Sequence, residues 1–140
     1  MPTVAVLADP PVEGVVLEEL VEATPLSAAA AARLYEAMCR DVCRAVQAGG
    51  ADLLVNYRPA DQVAADVDPE QALRESLSEA LDDPGDARYE VQVGETKAGR
   101  AGNTVTHLLR EEQADSAAVV EPTAAFLART HLGTAGMHLR

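Results

Sequence analysis

Four carboxylate pairs stand out among the residues whose types and spacing could do chemistry: Glu18-Glu19, Asp66-Val67-Asp68, Asp82-Asp83 and Glu111-Glu112. Two such side chains can hold Mg²⁺ or Mn²⁺ through hard oxygen ligands, with a diphosphate completing the shell. In a chain with 23 Asp and Glu, pairs also arise by chance. Asp68 is accounted for as a helix cap before Pro69, and Asp82-Asp83 as turn chemistry before Pro84-Gly85. Glu121 is different. It follows the apolar run from Ser116 to Val120 and so falls at the carboxyl end of a predicted strand, where parallel sheets place ligands.

The remaining reactive side chains offer less. Cys39 and Cys43 lie one helical turn apart, which is poor geometry for a disulfide and leaves a metal two ligands short, so they read as buried thiols. His107, His131 and His138 are scattered, with no partner that the sequence can name. There is no GxGxxG, no GxxxxGK followed by Ser or Thr, and no GxSxG. A dinucleotide fingerprint, a Walker loop and a nucleophile elbow are therefore all missing.

Charge narrows the partners. Against the acids stand 11 Lys and Arg, giving a net charge of −12 and a pI near 4.5. Such a field repels nucleic acid and anionic membrane surfaces. Lys97 is the one lysine, Ile and Trp are absent, and the acids are spread along the whole chain. That pattern is expected of a salt-accumulating halophile, whose stability should rise steeply with added KCl as self-repulsion is screened. The N-terminus has no basic region and no long apolar stretch, which argues against a signal peptide or membrane span. Unpaired cysteines fit a reducing cytoplasm.

The elements that must position these residues alternate. Thr3 to Ala8 is an apolar run rich in β-branched residues, suited to a strand buried on both faces. Residues 9 to 26 read as a loop with a helical turn near Leu17 to Val21. Ser27 caps a helix to about Gln47, stopped by Gly49-Gly50. Asp52 to Asn56 is a second strand, and Pro69 opens a helix to about Leu81. Tyr89 to Val93 alternates as a third strand, and Thr96 to Gly102 reads as a polar, glycine-bearing loop. Asn103 is expected to cap a short helix to about Gln113. Ser116 to Val120 is a fourth strand, Pro122 starts a helix to about His131, and Met137 to Arg140 resembles an incoming strand. Strands separated by helices imply right-handed βαβ units, hence one α/β domain: a three-layer α/β/α sandwich with a mainly parallel, Rossmann-like sheet. The loops at 9–22, 57–61, 94–102 and 121–123 then lie at its ligand-binding end.

The stretch from Asp9-Pro10-Pro11-Val12-Glu13-Gly14 through Glu18-Glu19-Leu20, then Pro25-Leu26-Ser27 and the Ala-rich helix with Arg33-Leu34-Tyr35, resembles a GT-A-like glycosyltransferase family of unknown function linked to radical-SAM and selenoprotein gene clusters. That family is similar in fold to nucleotide-diphospho-sugar transferases and to 2-phospholactate guanylyltransferases. The Gly-Asn before Thr104 and the strand end at Val119-Val120-Glu121-Pro122-Thr123 fall where the family has corresponding elements. The resemblance runs along nearly the whole chain and implies a domain that lacks the C-terminal part of a full member.

The resemblance implies a nucleotide-binding loop at Asp9, Pro11, Gly14 and Glu19 and a divalent metal, Mg²⁺ or Mn²⁺, on Glu121. The departures point the other way. Members carry bases in this loop, where the present chain has Asp9, Val15, Leu17 and Glu19. The metal-binding Gly-x-Asp-x-Pro is reduced to Val120-Glu121-Pro122. The expected function is a noncatalytic binding or oligomerisation module able to take a nucleotide or nucleotide-sugar, with a metal-dependent glycosyl- or nucleotidyltransferase as the alternative. A homodimer is expected, since an edge strand needs pairing or cover.

Overall fold

A computed structural model describes residues 2–112 and 114–124. Thr3–Ala8 forms β1 and Asp52–Tyr57 forms β2, paired in parallel with Val4 opposite Leu53 and Val6 opposite Val55. Arg88–Val91, β3, adds outside β2, and Ala117–Val120, β4, adds on the other side of β1. The sheet is four-stranded, all parallel, in the order β3-β2-β1-β4.

Strand periodicity divides the core into two faces. Val4, Val6, Ala8, Leu53 and Val55 pack with helix α2, Ala28–Ala48, and helix α3, Pro69–Ser78, whereas Ala5 and Leu54 meet Leu108 of helix α4, Lys97–Arg110, on the opposite side. The α/β sandwich expected from the sequence is therefore the observed architecture. Its topology explains the sides. Two right-handed crossovers in one direction put α2 and α3 on one face, and the return past β2 and β1 to β4 puts α4 on the other. The strand order reverses between β1 and β4, and α/β folds bind ligands in the crevice outside the carboxyl ends of such strands.

Local chemistry sets most boundaries. Ser27 Oγ accepts from the Ala30 amide to start α2, and Asp68 Oδ1 accepts from Glu70 and Gln71 to start α3. Helix α1, Glu18–Ala23, is the helical turn expected near Leu17, and it follows Leu17 held at φ 53°. Cys39 and Cys43 are free and buried on the inner side of α2, where the hydrogen bond with Cys39, and then burial, push the Cys43 thiol well up. Among the described residues no helix is long and apolar enough to cross a membrane.

One boundary is corrected. Thr96 to Gly102 is not a loop, and Asn103 is not a cap. The helix starts seven residues before Thr104, at Lys97, with Thr96 Oγ1 accepting from the Gly99 amide. Gly99 and Gly102 lie inside it, at a cost of about 1 kcal/mol each relative to alanine. Tertiary contacts outweigh that cost: Arg100 and Thr104 are buried, and Asn103 Nδ2 donates to the Val93 carbonyl. The expected helix from Pro122 begins as a short 3₁₀ turn, Pro122–Ala124. Its continuation, His131, His138 and the strand expected at Met137 lie outside the described residues.

Candidate functional site

A cleft of about 280 Å³ opens at the carboxyl ends of β1 and β4. Asp9 comes from the end of β1, Arg58 from the end of β2, Lys97 and Arg100 from the first turn of α4, and Glu121 from the end of β4. Three of the chain's 11 basic side chains thus meet in one cleft of a molecule with net charge −12. Bases are absent from the 9–19 loop, as its sequence requires, and reach the cleft from other elements instead.

The three cations differ in their surroundings. Arg58 Nε donates to Asp9 Oδ1 at 2.7 Å and Nη1 to the Gln62 carbonyl at 3.2 Å. Lys97 Nζ pairs with Glu121 Oε1; the lysine is largely exposed and the carboxylate half-buried. Arg100 is only 9% exposed, yet its partners are neutral: Nε donates to Gln92 Oε1 at 2.8 Å and Nη1 to Gln62 Oε1 at 3.0 Å. Among the described residues no carboxylate forms an ion pair with it. An isolated buried charge is costly, by several kcal/mol per ion even after relaxation. Here neutral dipoles and the open cleft reduce that cost, and an anion would reduce it further.

The amides that hold Arg100 are themselves fixed. Gln92 Nε2 donates to the Asn56 carbonyl at 2.8 Å, and Gln62 Nε2 to the Gly94 carbonyl at 3.0 Å. Thr104 Oγ1 donates to Asn56 Oδ1 at 2.7 Å, which ties the second turn of α4 to the core of β2. Gly94, at φ 134°, lets the chain pass under the helix start. A Cβ there would sit 3.1 Å from the Arg100 amide nitrogen and 3.2 Å from its Cγ. The guanidinium is thus preorganised, and rotamer freedom has been given up before any ligand arrives.

Helix geometry adds to the same field. Thr96 satisfies the Gly99 amide, while the first-turn amides of Lys97 and Ala98 have no intrahelical acceptor and carry the positive end of the helix dipole. Tyr35, buried on α2, lines the opposite wall. Its hydroxyl accepts from the Asp9 amide at 2.9 Å, and burial pushes its ionisation well up, so it stays a neutral phenol.

The expected site residues divide. Asp9 and Glu121 line the cleft together. Pro11 and Gly14 do not line it: the Val12 amide donates to the Pro10 carbonyl, Gly14 takes φ 79°, and the loop thereby carries Val15 and Val16 into the cleft wall. Glu19 is exposed on α1 and faces a neighbouring groove that shares Val15, Leu17 and Arg58 with the cleft. Glu121 pairs with Lys97, and among the described residues it belongs to no group of three side chains close enough to share a metal ion. The protein ligands around Glu121 therefore do not by themselves make a metal site.

Sequence reasoning did not find Arg58, Arg100 or Lys97. All three had a usable signal, since they sit in the loops 57–61 and 94–102 named as the ligand-binding end. What the sequence hid was the helix start that buries Arg100. No family model matches this chain, and no curated protein or solved structure matches it. The site must be read from its own chemistry.

Proposed function

We propose that the protein is a noncatalytic binding module for a small phosphorylated ligand of the nucleotide or nucleotide-sugar class, held in the cleft between the ends of β1 and β4. The observation that carries this reading is Arg100, a nearly buried guanidinium with neutral partners that lines the cleft in the first turn of α4. A diphosphate matches both, accepting from the guanidinium fork and from backbone N–H groups at the helix start. Arg58 and Lys97 lie within the same cleft and can exchange their carboxylate partners for the ligand.

The resemblance to GT-A-like transferases is consistent with this placement and remains part of the proposal. Both carboxylates that line the cleft have cation partners, Asp9 on Arg58 and Glu121 on Lys97. That favours binding over group transfer. Cytoplasmic location, the halophilic habitat and the homodimer belong to the same proposal, supported by composition and by the exposed edge of β3.

The test is calorimetric titration in molar KCl with a nucleoside diphosphate, a nucleotide sugar and the parent nucleoside. Binding of the first two but not the nucleoside, unchanged by Mn²⁺, is the expected result. Binding that requires Mn²⁺ and disappears in Glu121→Gln would support the metal-dependent transferase. No binding of any of the three would remove both readings.

A further inference from the structure

A second group of side chains lies apart from the cleft, where β3 meets the far half of α4. Glu90 Oε1 is 3.7 Å and Glu112 Oε2 is 3.2 Å from His107 Nε2, and all three ligand atoms lie within 4.8 Å of one another. They come from three places in the chain: a strand, a helix and the turn that follows it. Four-coordinate zinc with bonds of about 2.0–2.2 Å sets its ligand atoms roughly 3.2–3.6 Å apart, so the two measured separations bracket the tetrahedral value.

Arg88 explains why the carboxylates are so placed. Its Nη1 donates to Glu90 Oε2 at 3.1 Å and contacts Glu112 Oε1. Each carboxylate therefore gives one oxygen to the guanidinium and turns the other toward His107 Nε2. This is the arrangement of an outer-shell cation that orients ligating carboxylates. Glu90 and His107 also line a cavity of about 560 Å³ walled by Leu54, Val91 and Val93.

We propose that Glu90 Oε1, His107 Nε2 and Glu112 Oε2 form a binding site for a divalent transition-metal ion of the zinc type, with Arg88 as its positioning residue. One nitrogen and two carboxylate oxygens suit Zn²⁺ and its spectroscopic substitute Co²⁺ better than Mg²⁺, which prefers an all-oxygen octahedron. Three protein ligands leave a coordination position open at the rim of the cavity, to water or a small ligand. The negative net charge of the protein favours cation capture at this surface. The site is independent of the anion cleft.

The experiment is titration of the full chain with Co²⁺, followed by its visible absorption, and with Zn²⁺ by calorimetry. Expected are one equivalent bound, d–d bands typical of four or five coordination, and at least a tenfold loss of affinity in His107→Ala and in Glu112→Gln. Arg88→Ala keeps the three ligand side chains but frees their carboxylates, and weakens binding by about tenfold, within the range seen for second-shell changes. His107 and Glu112 are exposed, so both variants should keep the wild-type far-ultraviolet spectrum, which is checked alongside. Binding of less than one equivalent, six-coordinate spectra, or unchanged affinity in His107→Ala and Glu112→Gln would overturn the proposal.

Discussion

Arg58 Nε and Asp9 Oδ1, from the ends of the adjacent parallel strands β2 and β1, meet at 2.7 Å in the wall of the cleft. Each side chain is about a quarter exposed, 26% for Arg58 and 27% for Asp9, so the pair is neither dry nor fully screened. Its carboxylate occupies the place where an incoming phosphate would meet the guanidinium.

Asp9→Asn should therefore tighten binding of an anionic ligand. Asparagine keeps the backbone amide that donates to Tyr35 Oη, removes one negative charge and releases Arg58. Pairs of this exposure contribute roughly 0–1 kcal/mol, so the gain in affinity is up to about fivefold, with little change in stability. Calorimetry on the two proteins measures it. Weaker binding in Asp9→Asn would mean that the carboxylate itself holds the ligand or its metal.

Gly94→Ala should damage stability and binding together. Position 94 has φ 134°, and the added methyl meets the Arg100 backbone nitrogen at 3.1 Å. A residue forced into such a conformation costs on the order of 1–3 kcal/mol, visible as a lower urea midpoint at unchanged slope. Ligand affinity falls as well, because the first turn of α4 must move and carries Arg100 with it. A variant with reduced stability and wild-type affinity would show that the cleft does not depend on that turn.

Stability should fall at high pH through Tyr57. Burial first, then the hydrogen bond from Tyr57 Oη to Glu70 Oε1 at 2.9 Å, push its ionisation from 10.0 up to about 12. Burial also pushes Tyr89, beneath the Arg74 guanidinium, up to about 12. A folded value above the unfolded one means that the unfolded chain loses its proton first as pH rises. The stabilisation is complete below pH 10 and is lost as pH climbs through 10 toward 12. Urea midpoints measured across that window should decline in the wild type and decline less in Tyr57→Phe. Equal slopes for the two proteins would exclude Tyr57 as a source of the loss.

Much of the architecture was legible because periodicity reports burial. The run from Thr3 to Ala8, buried on both faces, could only be a central strand, and the Ser27 and Asp68 caps announced their helices. The start of α4 was not legible, since Lys97-Ala98-Gly99-Arg100-Ala101-Gly102 has the glycine content of a loop, and its helicity comes from burying Arg100 against Gln92 and Gln62. The candidate sites split the same way. Asp9 and Glu121 were visible as residues at strand ends. Glu112 and His107 were each visible alone, but their convergence with Glu90 depends on the registry between β3 and α4. Arg100 needed the fold, because only tertiary packing separates a guanidinium with neutral partners from the charged surface around it.

The central claim is that Arg100 holds an anion in the cleft, and the most direct measurement compares nucleoside diphosphate binding by wild type and Arg100→Gln in molar KCl. Glutamine removes the charge and keeps an amide donor for Gln92. Losing a charge-assisted contact of about 2 kcal/mol predicts roughly 30-fold weaker binding by the variant, with the fold intact by circular dichroism. Equal affinity in the two proteins would contradict the account.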